Sequence, residues 1–248
     1  MSHTTVKALL DKYAPPQTQP YQELVPQQTT LVIDAYFRSR GDGTLIFRSP
    51  EIGRNLLWFD IRYETVHEYL RGVDVLQHVG WEIAGFTVDG RRGVIAALSR
   101  IAAVQHCQFH QAQTIRRYLT MAPQLPAAQE LKAVVALLTI TNRQSFEAQL
   151  LAWYEKWHTT LKQRTYHPSG AWSYTHQRLR RAYRSVHTNL PHLFTYQEHL
   201  AIPNTTNSLD GSISHVRTMH RVHQGLQLRQ RRKVTDTLLR GKYPKKLY

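Results

Sequence analysis

A single cysteine, Cys107, stands in a chain of 248 residues. That excludes an internal disulfide and any multi-cysteine zinc ribbon within these residues. Long apolar runs are missing too. None approaches the roughly 20 residues needed to cross a membrane, and the polar start Met-Ser-His-Thr-Thr does not read as a signal peptide. The chain is therefore expected in the cytoplasm, with no membrane partner. Acids are scarce: 17 Asp and Glu stand against 32 Lys and Arg, for a formal net charge of +15. Such an imbalance calls for a polyanionic partner. The hydrophobic share, 42%, is that of an ordinary globular protein. The length suits one packed core plus an insertion or a small second unit.

The basic surplus is unevenly placed. Residues 211–248 carry ten Lys and Arg and one acid, Asp236. Residues 161–190 carry six Lys and Arg and no acid, interleaved with Tyr166, Trp172, Tyr174 and Tyr183. Binding of nucleic acid through these stretches would release counterions and weaken steeply with salt. The alternative is a solvated or ribosome-like basic face.

Along the chain, residues 1–29 hold one expected helix (6–13) and a Pro/Gln-rich linker (14–28). Residues 30–37 (TLVIDAYF) are β-branched and aromatic, a buried strand with an acid in its middle. Residues 45–47 and 55–61 suggest two further strands, giving a meander. A helix over 64–79 has Val66, Leu70, Val73 and Leu76 at helical spacing. Residues 81–88 form a fourth strand that runs into Asp89 and Gly90. A helix over 93–101 and a short strand over 103–109 follow. The order β-β-β-α-β-α-β is that of an RNase H-like sheet. Helices are then expected over 111–121, 127–139, 145–162 and 172–188, and a last one over 208–219. The expected fold is therefore α/β: a mixed five-stranded RNase H-like sheet with flanking helices, interrupted by an all-α insertion. In domain terms, residues 30–122 begin the core, 123–200 are the insertion, and 201–248 carry the last helix and a basic tail.

Asp34 in an apolar strand costs several kcal/mol unless it is paired or holds a metal. Asp89 ends the fourth strand against Gly90, which permits close backbone approach. With the first and fourth strands side by side, the two carboxylates meet at one edge of the sheet. Two such anions repel, and at least one pKa rises unless a cation intervenes. Bound Mg²⁺ or Mn²⁺ removes the conflict and supplies chemistry. For each acid alone, the plain alternative is a turn residue or an ion-pair partner. Six acids follow Asp89: Glu130, Glu147, Glu155, Glu198, Asp210 and Asp236. Asp210 follows a cap-like run (NTTNS, 204–208) at the start of a helix, with Ser214, Arg217 and Arg221 on its own face. An acid in a first helical turn is also favoured by the helix dipole alone. Glu198 is the rival third acid.

With these pieces in place, the sequence resembles the Mutator-like class of DDE transposases of bacterial insertion sequences. The matching pieces are LVID (31–34), GFTVDG (85–90), CQFH (107–110) and NTTNSLDG (204–211), in the family's order, over roughly residues 30–241. The resemblance implies that Asp34 and Asp89 are the first two catalytic acids. It puts Asp210 where the family often carries glutamate, one methylene longer. It further implies two Mg²⁺ or Mn²⁺ ions, and DNA as partner: transposon terminal inverted repeats and target DNA. A homodimer or higher oligomer at the bacterial nucleoid is expected. His110 would position the scissile phosphate; plain packing and half of a zinc site with Cys107 are the alternatives. Arg91, Arg92, Arg217 and Arg221 would hold backbone phosphates. Trp172, Tyr174, Arg178 and Arg181 would stack on or clamp unpaired bases, the alternative being helix packing. Relatives often begin with a cysteine-rich ribbon and a helix-turn-helix, so the chain reads as N-terminally truncated. The expected function is metal-dependent cleavage at transposon ends and strand transfer into target DNA. The competing expectation is an inactive, truncated or repurposed transposase that binds DNA or traps an active partner in mixed dimers. An RNase H-like nuclease of the resolvase kind fits less well, given the long insertion.

Overall fold

The structure, a computed structural model, describes residues 3–14 and 18–241; the side chains of His3 and Arg92 lie outside the description. The chain begins with α1 (His3–Lys12) and α2 (Pro20–Glu23), then the meander β1 (Gln28–Ser39), β2 (Asp42–Ser49) and β3 (Arg54–Ile61). Next come α3 (Val66–His78), β4 (Glu82–Val88), α4 (Arg92–Leu98) and β5 (Ala103–His106). The insertion comprises α5 (Gln108–Leu119), α6 (Pro126–Ala136), α7 (Arg143–Lys162), β6 (Arg164–Tyr166), β7 (Trp172–Tyr174), α8 (Gln177–Asn189) and α9 (Thr195–Glu198). Two helices close the described chain, α10 (Asn207–Val222) and α11 (Leu228–Arg240).

Five strands form one mixed sheet in the order β3-β2-β1-β4-β5. The meander pairs antiparallel, while β1, β4 and β5 run parallel. This α/β layout is consistent with an RNase H-like core. Alternation along β1 divides its side chains between two layers. Leu31 and Ile33 pack with Tyr69, Val73, Leu76 and Leu98 of α3 and α4. Val32 and Tyr36 pack with Leu209, Ile213, Val216 and Leu239 of α10 and α11 on the opposite face. Each such fully buried aliphatic side chain contributes on the order of 2 kcal/mol. Thr65 caps α3, accepting from the Glu68 N–H. The insertion has its own core, with Phe146, Trp153, Leu179 and Phe194 among its buried residues.

Three expectations need correction. The helix anticipated over 172–188 starts at Gln177; residues 164–174 form a hairpin, so the insertion is helical apart from two short strands. Gly170 adopts φ +79° in its turn, which an L side chain resists. The basic tail is an ordered helix over 228–240. Asn55 Nδ2 donates to the Leu239 carbonyl (2.8 Å), and Trp58 Nε1 to Asp236 (2.9 Å). The linker is ordered around α2, where the Gln19 side chain accepts from the Trp58 N–H on edge strand β3.

Candidate functional site

The last parallel pair between β1 and β4 is Ile33 with Val88. Asp34 is the next residue of β1 and Asp89 the first residue after β4, so they sit side by side where β4 ends. Parity aims both away from the α3 layer, because Ile33 and Val88 already face it. The opposite layer holds α10. Its buried stripe (Leu209, Ile213, Val216, His220) rests on the sheet. The neighbouring stripe of Asp210, Ser214 and Arg217 lines a polar cavity of about 550 Å³ together with Asp34, Asp89 and His110. Sheet register and helix periodicity thus bring carboxylates from three distant segments to one space.

The segment that delivers α10 is tied to the sheet. Thr87 Oγ1 donates to the Pro203 carbonyl (2.6 Å), and the Gln108 N–H to the Asn204 carbonyl (3.0 Å). The buried Cys107 sulfur accepts from the Thr206 N–H (3.3 Å). A methyl at Gly85 would lie 2.3 Å from Ile202 Cδ1, so glycine lets this segment approach the strand without displacing the Ile202 side chain. Cys107 therefore acts as a joint between the β5 end and the start of α10. Among the described residues no group of three or more His, Cys, Asp or Glu side chains stands close enough to hold a metal ion together.

Burial raises the Asp34 carboxyl to about 7, with the Asp89 and Asp210 charges adding to it. His110 and the Ala35 N–H, which donates to Asp34 Oδ1 at 2.8 Å, pull in the other direction. For His110, burial works against the charged ring, but the Cys107 sulfur and the Asp89 and Asp34 carboxylates outweigh it and lift it to about 9. Its Nδ1 lies 3.9 Å from Asp89 Oδ1, and this buried atom has no hydrogen-bond partner. His106 behaves oppositely: burial lowers it to about 4, so it stays neutral. It fills the space behind Gly90, where a methyl would fall 2.3 Å from its ring.

A second cleft, about 490 Å³, shares Asp89 with the first and opens between α5 and α8. Arg91, Arg181, Arg184, Thr114 and Ser185 line it. Arg178 is exposed and donates to the Arg117 carbonyl (2.7 Å). Arg217 lines the first cavity and lies over Tyr36 (5.6 Å). Arg221 is exposed and lines neither cleft, and the side chain of Arg92 lies outside the described residues. Trp172 is exposed on the hairpin, with the Arg164 guanidinium 4.0 Å from its ring centre. Tyr174 lies under Arg180 (3.9 Å), while Tyr183 stacks on Trp153 and Tyr154 as core. Glu198 pairs with Arg143 (3.7 Å) and does not line the acid cavity.

Sequence reasoning missed Gln113, Arg117, Arg184 and Glu64 among the lining residues. Gln113 and Arg117 line the first cavity at three and seven residues beyond His110, so α5 periodicity could have flagged them. Arg184 joins Arg181 by the same logic on α8. Glu64, a fourth carboxylate on the first cavity, gave no periodic signal because it precedes the Thr65 cap. No family model matches the chain, and no curated protein matches it.

Proposed function

We propose that the chain is a DDE-type DNA transposase that cuts at transposon ends and joins the freed 3′-OH to target DNA. The observation that carries this reading is the convergence of Asp34, Asp89 and Asp210 on one cavity, with Asp34 lifted to about 7. Carboxylate oxygens are the donors that Mg²⁺ and Mn²⁺ prefer, and a carboxyl raised by burial, with its neighbours' charge adding to it, is one that a cation would relieve. The donor chemistry suits such ions, which Asp34, Asp89 and Asp210 would hold once their side chains closed on them. Bound there, such ions would supply Lewis acidity to the scissile phosphate.

The protein's own contribution is positioning and charge. His110, cationic below about pH 9, offers a donor to a phosphate oxygen beside Asp89. Arg217 meets the same cavity from α10. Arg91, Arg181 and Arg184 would carry the DNA backbone through the second cleft, contributing affinity rather than sequence choice. Trp172 offers an exposed face to an unstacked base. Terminal inverted repeats and target DNA are the intended substrates, and a homodimer or higher oligomer would hold two ends together. Mg²⁺-dependent strand transfer by the wild type and Asp34→Asn tests the reading. A large loss in the variant is expected, and equal activity in both would sink it.

One observation favours a second reading, a DNA-binding protein without catalysis that occupies DNA or sequesters an active partner. The described side chains do not close on a common ion, and Asp210 has a short reach. This reading expects salt-sensitive DNA binding indifferent to Asp34→Asn, and no nicking in Mn²⁺.

A further inference from the structure

Glu64 is a carboxylate placed where negative charge is already in excess. It shares the cavity of Asp34, Asp89 and Asp210, and its side chain is only 14% exposed. A fourth anion there adds repulsion unless something fixes and compensates it. Two groups do so. The Tyr69 hydroxyl donates to Oε1 at 2.6 Å. Burial first, and then the Glu64 charge, hold that phenol protonated well above its ordinary range, so the donor is permanent. On the other side Arg91 Nε lies 3.3 Å from Glu64 Oε2, and Arg91 Nη1 donates to the Glu64 backbone carbonyl.

Arg91 is thus gripped at two points by one residue. Its side chain is nevertheless 53% exposed, and it lines the second cleft rather than the first. The grip rests on rigid elements. Glu64 precedes the α3 cap Thr65, Arg91 is the N-cap of α4, and the two helix starts touch, a methyl at Gly93 lying 3.0 Å from Val66. An exposed arginine loses much rotamer freedom when it binds phosphate; one already anchored loses less.

The geometry points to Glu64 as a positioning residue that works through Arg91. It fixes a guanidinium at the rim between the acid cavity and the basic cleft, where it meets the backbone phosphate next to the scissile one. This rests on the reading of the cavity as a DNA-processing site. Glu64 does not serve as an ion ligand in this role.

The test is a double-mutant cycle on the full chain with Arg91→Ala, Glu64→Gln and the pair. Glutamine keeps an acceptor for Tyr69 but offers no charge to the guanidinium. Single-turnover nicking of duplex DNA in Mn²⁺ is expected to slow about tenfold in each single variant, with the pair no slower than Arg91→Ala alone. The Mn²⁺ concentration for half-maximal rate stays unchanged. Arg91→Lys, which keeps the charge but not the two-point grip, should behave like Glu64→Gln; it decides the matter if Glu64→Gln unfolds. Read on DNA binding across KCl, Arg91→Ala should flatten the log–log salt slope by about 0.9, one phosphate's worth, and adding Glu64→Gln to it should flatten the slope no further. Additive effects, a wild-type rate in Glu64→Gln, or a raised Mn²⁺ requirement would each overturn the positioning role while leaving the DNA-processing reading intact. A wild type that neither binds nor nicks DNA overturns both. A wild type that binds without nicking leaves the salt-slope cycle to decide.

Discussion

Replacing Asp34 by asparagine should stabilise the metal-free chain at pH 8 while abolishing its chemistry. The Asp34 carboxyl moves from 3.8 to about 7 on folding, chiefly through burial. At about 1.36 kcal/mol per pKa unit, roughly three units correspond to about 4 kcal/mol. The side chain lines an open cavity and keeps part of its surface exposed, so about half of that, ~2 kcal/mol, is the expected effect. The sign follows from the direction of the shift. A raised carboxyl contributes its stability in full below about pH 4 and has lost it once pH passes about 7. Asparagine does not titrate, and its Oδ1 can still accept from the Ala35 N–H. The variant's advantage should therefore open as pH climbs from 4 to 7 and then hold level. In thermal unfolding with EDTA, Asp34→Asn should melt about 4–8 °C above wild type at pH 8, with most of that gap gone by pH 4.5. Saturating Mn²⁺ should raise the wild-type melting temperature and leave the variant unmoved, closing or reversing the gap. A pH-independent gap, or a variant less stable than wild type at pH 8 without metal, would refute the argument that this carboxylate is held at a cost.

Gly90→Ala should destabilise the fold by about 1–3 kcal/mol, because the new methyl falls on the His106 ring; a calorimetric scan that matches wild type would show that the turn yields freely. Arg181→Ala with Arg184→Ala should flatten the salt dependence of DNA binding by about two phosphates' worth, a slope change of ~1.8, while leaving the melting temperature within about 2 °C. An unchanged slope would remove the second cleft from the DNA path.

The part of the site built on strands was legible in the sequence. An acid inside an apolar β-branched run, and another against a glycine at a strand end, are conflicts that burial makes visible, and strand alternation fixes their common face. Asp210 was legible through the cap-like run before α10 and the basic stripe beside it. Glu64 was not: its place depends on how the turn before α3 meets the turn before α4, a contact between segments about 27 residues apart that leaves no local pattern. The α11 helix escaped notice because its buried stripe includes Gln230, Thr235 and Arg240 alongside Val234 and Leu239, so a hydropathy reading finds only charge. Arg240 is buried against Glu23 (3.0 Å), a pairing that only the folded chain can supply. Of the hairpin, only β7 falls within an expected helix (172–188), because two three-residue strands are too short to establish an alternating pattern.

The order in which these pieces leave the ribosome has a consequence of its own. The sheet and both members of the strand-borne pair are complete once residue 106 has emerged, yet among the described residues the face carrying Val32, Tyr36, Ile46 and Trp58 packs against α10 and α11. Until residues beyond 206 arrive, a growing chain presents that apolar face to solvent and invites association with chaperones or with other nascent chains. The same late docking brings in the third carboxylate. The last step that makes the molecule safe from aggregation is therefore also the step that completes the acid cavity, so a stalled or clipped product lacking α10 would be sticky and without the full acid trio.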